Sequence, residues 1–522
     1  MSLKRLGTSN LVIIYNFSSI KLLSQTYNPL YVKYGIKVEV VGVFKHLYFL
    51  IYLMLLTSYL LRGCEVDEGT SIEEVTVSLD RTSFSPKSVT AGNDTIYDIN
   101  LKMSSVGEFE VDAKMNIKNT SKDAWNELIF YFIPNIFTEQ TLNKISHPLD
   151  NPGTLSVEEV AINGEKVEYD LEKDTLRVPL KSRLDSNGKI NVGFKYNFTL
   201  PENGLRYTKN NGNYYLAQFY PMLATYREHR WNKEEYRFKG ETFHTDFSDF
   251  NFTYQIPKGF TLTTTSPNDF YPNEKQGSLQ ANNVNMFFAA ILNNPTLIEK
   301  EAGHTNIRVF GFGENMELYQ EVTDIASDAL TYFEENIGSY PHDQLDILLD
   351  GMSMEYPGIV TAYSIYNSEP LEPESLKKTV VHEIAHQWFY GIISNDPYHD
   401  AWLDEGFADF ATELYFHSTN NEEVPYSSMY AAIQFLDSLP VNLPLHEYEE
   451  SNQSSYIYGK SSVMLWKLFE ERGGLKEAEK FLRTYYQYYQ FKEINSKEFI
   501  RFTKHYFRLS DDSVFDEWLL VK

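Results

Sequence analysis

His382, Glu383 and His386, in the stretch Val381-His-Glu-Ile-Ala-His-Gln-Trp388, are residues whose types and spacing suit metal chemistry. Positions four apart on a helix lie one above the other, so the two imidazoles address a single point, as zinc requires. Two imidazoles alone leave zinc underbound. A metal hydrolase holds its ion with three protein groups and keeps one position open for water. Glu405, nineteen positions after His386 in Trp402-Leu-Asp-Glu-Gly-Phe-Ala408, supplies the third ligand. Asp409, one helical turn beyond Glu405, is spaced to accept a hydrogen bond from a ligand imidazole and fix its tautomer. A solvated helix face in an acidic chain accounts for Asp409 nearly as well.

These side chains need two helices and a turn between them. Leu376, Val380, Val381, Ile384, Ala385, Trp388 and Phe389 recur at helical spacing from about Ser375, and Gly391 marks the stop. The spacing predicts further helices over roughly Asp404 to His417, Tyr456 to Glu471, Lys476 to Tyr489 and Ser496 to Arg508. Ahead of them, residues 95–295 read as a β-rich domain. Alternating runs such as Phe109 to Ile117 and Phe250 to Ile256 are punctuated by the hairpin signals Asn163-Gly164, Asn187-Gly188 and Asn211-Gly212. The expected class is a multidomain β then α+β chain, with the chemistry on helices of residues 296–522.

The charge balance narrows the partners. With 72 acidic and 46 basic side chains the net charge is -26, which argues against nucleic acid and against adhesion to anionic lipid. A single cysteine, Cys64, excludes an intramolecular disulfide and a cysteine zinc knuckle. It follows an apolar run from His46 to Leu61 and ends Leu61-Arg62-Gly63-Cys64, which resembles a bacterial lipobox apart from Arg62. Residues 1–64 are therefore expected to be an N-terminal extension with an export signal. They would attach the chain to the outer face of the cell membrane through a lipid on Cys64, or through an uncleaved anchor. Translation starting near Val43 would put the signal at its usual place. Residues 65–94, acidic and rich in Ser and Thr, read as a linker.

His382, Glu383, His386 and Glu405 resemble the aminopeptidase N family of gluzincins, whose mark is H-E-x-x-H, eighteen residues, then Glu in a W-L-x-E-G-F-A setting. Met354-Glu355-Tyr356-Pro357-Gly358 is similar to that family's G-x-M-E-N loop, with Met352 in place of Gly and Tyr356 in place of Asn. Tyr456-Ile-Tyr-Gly459 is similar to its Y-x-x-G. The resemblance implies a saddle-like β domain followed by a thermolysin-like, mainly helical catalytic domain, and one zinc per chain. It implies peptide substrates trimmed from the N-terminus. As a departure from the family, the sequence stops about 117 residues after Glu405, so the long C-terminal helical domain of many relatives is expected to be missing. Glu383 would be the general base and Tyr456 the oxyanion donor, with Tyr458 as its rival. Glu355 would recognise the substrate's α-ammonium, assisted by Gln218. The other readings are a catalytically silent, peptide-binding surface lipoprotein of the same fold, and a zinc endopeptidase.

Overall fold

A computed structural model describes residues 84–269, 271, 274–362 and 372–521. The apolar run, Cys64 and the linker up to residue 83 lie outside the described residues.

The β-rich half is built on a seven-stranded sheet. Its central strand, Glu108–Asn119, is antiparallel to Asn93–Met103, which in turn runs parallel to Ser248–Gln255. In the first two strands buried and exposed residues alternate, so Tyr97, Ile99, Leu101, Phe109, Val111, Ala113 and Met115 all face one side. That face shares one core with the Trp125–Tyr131 sheet and the Asn213–Leu216 sheet. Asn163-Gly164 and Asn211-Gly212 turn between paired neighbouring strands, with φ of 50° and 84° at the first pair and 50° and 83° at the second. Asn187-Gly188 is different. It joins Thr175–Leu184 to Lys189–Thr199, strands of two separate sheets, so the turn carries the chain between layers and closes no hairpin.

From Thr296 a second core begins. The hairpin Thr296–Ala302 and Thr305–Gly311 continues by parallel pairing to Gln344–Leu348 and Ile359–Thr361. Helices then cover this sheet. Met316–Asn336, which the sequence reading did not single out, buries Tyr319, Val322, Ala326, Leu330 and Phe333 on one stripe. The helices that follow are Pro373–Ala385, Trp402–Asn420, Ser461–Glu470, Gly474–Tyr489 and Ser496–Phe507, together with a short exposed one, Tyr426–Ile433. The expected helix from Tyr456 begins instead as a wider π-helical turn, Ser455–Lys460.

The expected linker over 65–94 ends early. The Arg501 guanidinium lies 4.2 Å over the Phe84 ring, the Lys87 amide donates to Glu498, and the Val89 amide donates to the Glu493 carbonyl. An aromatic ring and two backbone donors tie residues 84–89 to the last long helix and to the short strand Lys492–Glu493 before it, where a polar tether would stay solvated.

Candidate metal centre

His382 and Glu383 sit in the last turn of Pro373–Ala385, and His386 caps it. Glu405 opens the Trp402–Asn420 helix. That helix is pinned by Trp402, fully buried, whose Nε1 donates to Ser496 Oγ at 2.7 Å, and by Asp404, which accepts from the Glu405 amide at 2.6 Å.

The three ligand atoms converge. His382 Nε2 and His386 Nε2 are 3.1 Å apart, and Glu405 Oε2 is 3.4 Å from the first and 3.1 Å from the second. Three donors at about 2.0–2.1 Å from a tetrahedral ion are separated by about 3.3 Å, so the triangle fits zinc without rearrangement. Proton placement points the same way. His386 Nδ1 lies 3.1 Å from the Phe389 carbonyl and His382 Nδ1 lies 3.0 Å from Asp409, both acceptors. Each imidazole therefore keeps its hydrogen on Nδ1, and two lone pairs and a carboxylate oxygen face one another with no hydrogen among them. Such a cluster calls for a cation.

Glu383 lies alongside. Burial pushes its carboxyl up to about 8; His382 and His386 oppose this, while Glu355 and Glu405 add to it. Glu355 is raised mainly by burial as well. Its loop is held from two directions. Met354 exchanges backbone hydrogen bonds of 3.1 and 2.9 Å with Thr361, and Gln387, directly after a ligand histidine, donates to the Tyr356 carbonyl at 3.1 Å and accepts from the Gly358 amide at 2.8 Å. Tyr356, where the family pattern has Asn, stacks on Phe288 of the β-rich half, ring centres 3.9 Å apart. The loop that carries Glu355 is thus built into the same pocket as His382, Glu383, His386, Glu405 and Asp409.

Two expected residues stand elsewhere. The Tyr456 hydroxyl donates to Asp437 and its ring packs on Tyr448, outside the pocket lining, whereas the Tyr458 hydroxyl donates to Glu405 Oε1 and its ring stacks on His382. Of the two tyrosines weighed in the sequence, Tyr458 and not Tyr456 reaches the pocket. The π-helical turn rotates the side chains away from ordinary helical positions, and Gly459 misleads as a marker because a Cβ there would meet nothing within 4 Å. The close approach is at Gly406, where a Cβ would lie 2.3 Å from Ser461 Oγ. The missing side chain lets the π-helical turn press onto the ligand helix and deliver Tyr458. Gln218 is 1% exposed and is not among the pocket-lining residues. Its φ of 57° breaks the alternation that a strand would give. Arg206, Glu241 and Lys378 also line the pocket. Sequence reading missed all three, and only the juxtaposition of the two halves reveals the first two.

Three protein ligands, an open side and a buried carboxylate beside them are the donor set of a metal-dependent hydrolase. Residues 322–518 match the Peptidase family M1 domain. Over those residues the chain is similar to that family, in agreement with the aminopeptidase N resemblance of its motifs. Similar proteins include Aminopeptidase 2 of Candida albicans, 28% identical over 184 residues, covering 30% of this chain and 20% of the relative. Others are the alanine/arginine aminopeptidase of Saccharomyces cerevisiae, 27% identical with 37% and 24% covered, and leukotriene A-4 hydrolase of Xenopus laevis, 27% identical with 34% and 32% covered. The chain thus spans about a fifth to a third of the length of these relatives. In fold it is similar to a mutant M1 zinc metallopeptidase of Deinococcus radiodurans (TM-score 0.56, 15% identity, 82% of this chain and 94% of that one). It is also similar to a two-domain M1 zinc metallopeptidase mutant bound to L-arginine (TM-score 0.60, 15% identity, 84% and 96% covered).

Proposed function

We propose that this chain is a zinc aminopeptidase with a thermolysin-like catalytic half, removing N-terminal residues from peptides. The observation that carries the reading is the convergence of His382, His386 and Glu405 on one point, with Glu383 and Glu355 in the same buried pocket. Zinc held by those three ligands supplies a Lewis acid that lets water act as a nucleophile near neutral pH. Glu383, buried beside the ligands, accepts the attacking water's proton and returns it to the leaving amine. The Tyr458 hydroxyl donates to the developing oxyanion. Glu355 pairs with the free α-ammonium, which orients the substrate and favours cleavage after the first residue. Asp409 holds the His382 imidazole in the liganding tautomer. Export and a lipid tether at Cys64 belong to the same proposal, supported by the apolar run before that cysteine. Mass spectrometry that found Cys64 unmodified in the mature, membrane-extracted protein would remove the lipid.

The test is a panel of aminoacyl amides and their N-acetylated forms, assayed with and without chelator on protein of measured zinc content. Cleavage of free-amine substrates, lost with chelator and restored by zinc, is expected. Bound zinc without turnover points to a silent peptide binder, and equal cleavage of N-acetylated peptides points to an endopeptidase.

A further inference from the structure

The loop that carries Glu355 leaves the strand Gln344–Leu348 and re-enters the sheet at Ile359–Thr361. Gln387 holds its far end at Tyr356 and Gly358. The β-rich half grips its near end, at Asp350. That side chain is buried, and both of its carboxylate oxygens are occupied. Oδ1 accepts from the Gly351 amide at 2.8 Å and from Asn210 Nδ2 at 3.2 Å, while Oδ2 accepts from Asn213 Nδ2 at 2.9 Å and from the Tyr215 hydroxyl. Three of these four donors come from one hairpin, Tyr207–Asn210 with Asn213–Leu216, which lies 135 to 140 positions earlier in the chain.

The hairpin is shaped for this contact. Its Asn211-Gly212 turn, positive in φ at both residues, closes it so tightly that Asn210 and Asn213 stand directly opposite each other, and both amides reach one carboxylate. Asn213 is fixed in turn, since its Oδ1 accepts from the Asn293 amide at 2.8 Å. A carboxylate suits the place because it offers acceptors only; an amide there would turn N–H groups toward the hairpin's own. Gly351 then takes φ 78°, a bend open to glycine, and the next four residues, Met352 to Glu355, all line the metal pocket. Asp350 is not among the lining residues. A second grip comes from the residue just before the same hairpin, because Arg206 Nε donates to Met354 Sδ at 2.9 Å. Residues 206–215 thus hold this stretch of pocket wall at both of its ends.

We propose that Asp350 is the positioning residue of the Glu355 loop. It latches the loop to the hairpin of the β-rich half and so sets where the Glu355 carboxylate stands relative to the metal ligands. It touches neither metal nor substrate. The assignment rests on the aminopeptidase reading for what Glu355 recognises.

The experiment is calorimetric binding of L-alanine hydroxamate and propionohydroxamate to the zinc-loaded chain. The two share the metal-binding head and differ by the α-amino group, so their affinity ratio reads the placement of Glu355. Wild type is expected to favour the amino compound. Asp350→Ala should lower that preference about tenfold at unchanged zinc content, with propionohydroxamate bound as before. Asp350→Asn, which keeps one acceptor oxygen, should restore part of it. Tyr215→Phe removes a single donor and keeps the ring; it should lower the preference about threefold, and it carries the test if the alanine variant does not fold. In a Glu355→Gln background Asp350→Ala should add no further loss, since the latch acts through that carboxylate. A lower Tm with an unchanged preference overturns the proposal and makes Asp350 a structural residue only. Equal weakening of both hydroxamates, or a further loss in the Glu355→Gln background, overturns it as well. No amine preference in wild type removes the role of Glu355 and the latch with it. A preference that depends on Asp350, in a chain that cleaves no peptide, would sink the peptidase reading and leave the latch standing.

Discussion

Two buried clusters of histidine and carboxylate lie in this molecule, and they are balanced in opposite ways. Between the β-rich and helical halves, His244 stands 3.4 Å from Asp396 and 3.3 Å from Glu493, while Arg227 bridges Asp246 and Glu493. There the protein supplies its own cations. Burial pulls the His244 imidazole down, but Glu493 and Asp396 outweigh it and hold the imidazole up at about 10. In the metal pocket the histidines turn their hydrogens outward to Phe389 and Asp409, Glu241 and Glu355 share the Arg206 guanidinium, and the lining residue Lys378 is paired with Glu413. A cluster closed by its own charges holds the structure together; one left short of charge is suited to a cation from outside.

The sharpest way to break this contrast is Glu383→Gln. Turnover should fall on the order of a thousandfold or more, with zinc retained as measured by mass spectrometry of the metal; loss of zinc would mean that Glu383 serves the metal and not the proton. Next comes the pair of tyrosines. Tyr458→Phe should lower kcat on the order of a hundredfold with KM little changed, whereas Tyr456→Phe should stay within about twofold, since it stands outside the pocket. The reverse order would return the oxyanion role to Tyr456.

His244→Gln addresses the self-balanced cluster. It leaves buried carboxylates short of a partner and should cost about 3 kcal/mol of stability, read as a lower Tm, with kcat within about twofold. The pH dependence has a definite sign. The His244 proton is held more tightly in the folded state, so its contribution is complete below about pH 6.5, the ordinary histidine value, and is lost as the pH rises through about 10. Wild type should lose Tm across that window more steeply than the variant, and parallel curves would show that His244 is not charged there. The smallest effect is expected from Asp409→Asn, about tenfold weaker zinc binding, measured by competition with a chelator. Unchanged affinity would make Asp409 only a solvated helix residue.

What could be read from the sequence follows from how local each signal is. His382, His386 and Glu405 were legible because one helical turn fixes the first two, and the Trp402 to Ala408 block marks the start of the next helix. The alternating strands of the β half were legible for the same reason, since burial there follows the two-residue period. Tyr458 was not, because a π-helical turn changes which side chain faces the metal, and the contact that matters lies at Gly406, more than fifty positions earlier. Arg206 and Glu241 were hidden for a different reason. They reach the pocket only after two halves of the chain have packed together, and nothing in Gly240-Glu241-Thr242 distinguishes that glutamate from 71 other acidic residues.

Gly406 also sets the mutational tolerance of the chain. Even a methyl group there would be driven into Ser461, so the smallest substitution forces the π-helical turn off the ligand helix and carries Tyr458 away from Glu405. A position that touches neither metal nor substrate should therefore prove as intolerant in a saturation scan for activity as His382 itself. Such a scan would find the site's boundary at the backbone supporting it, one layer outside the residues that do the chemistry.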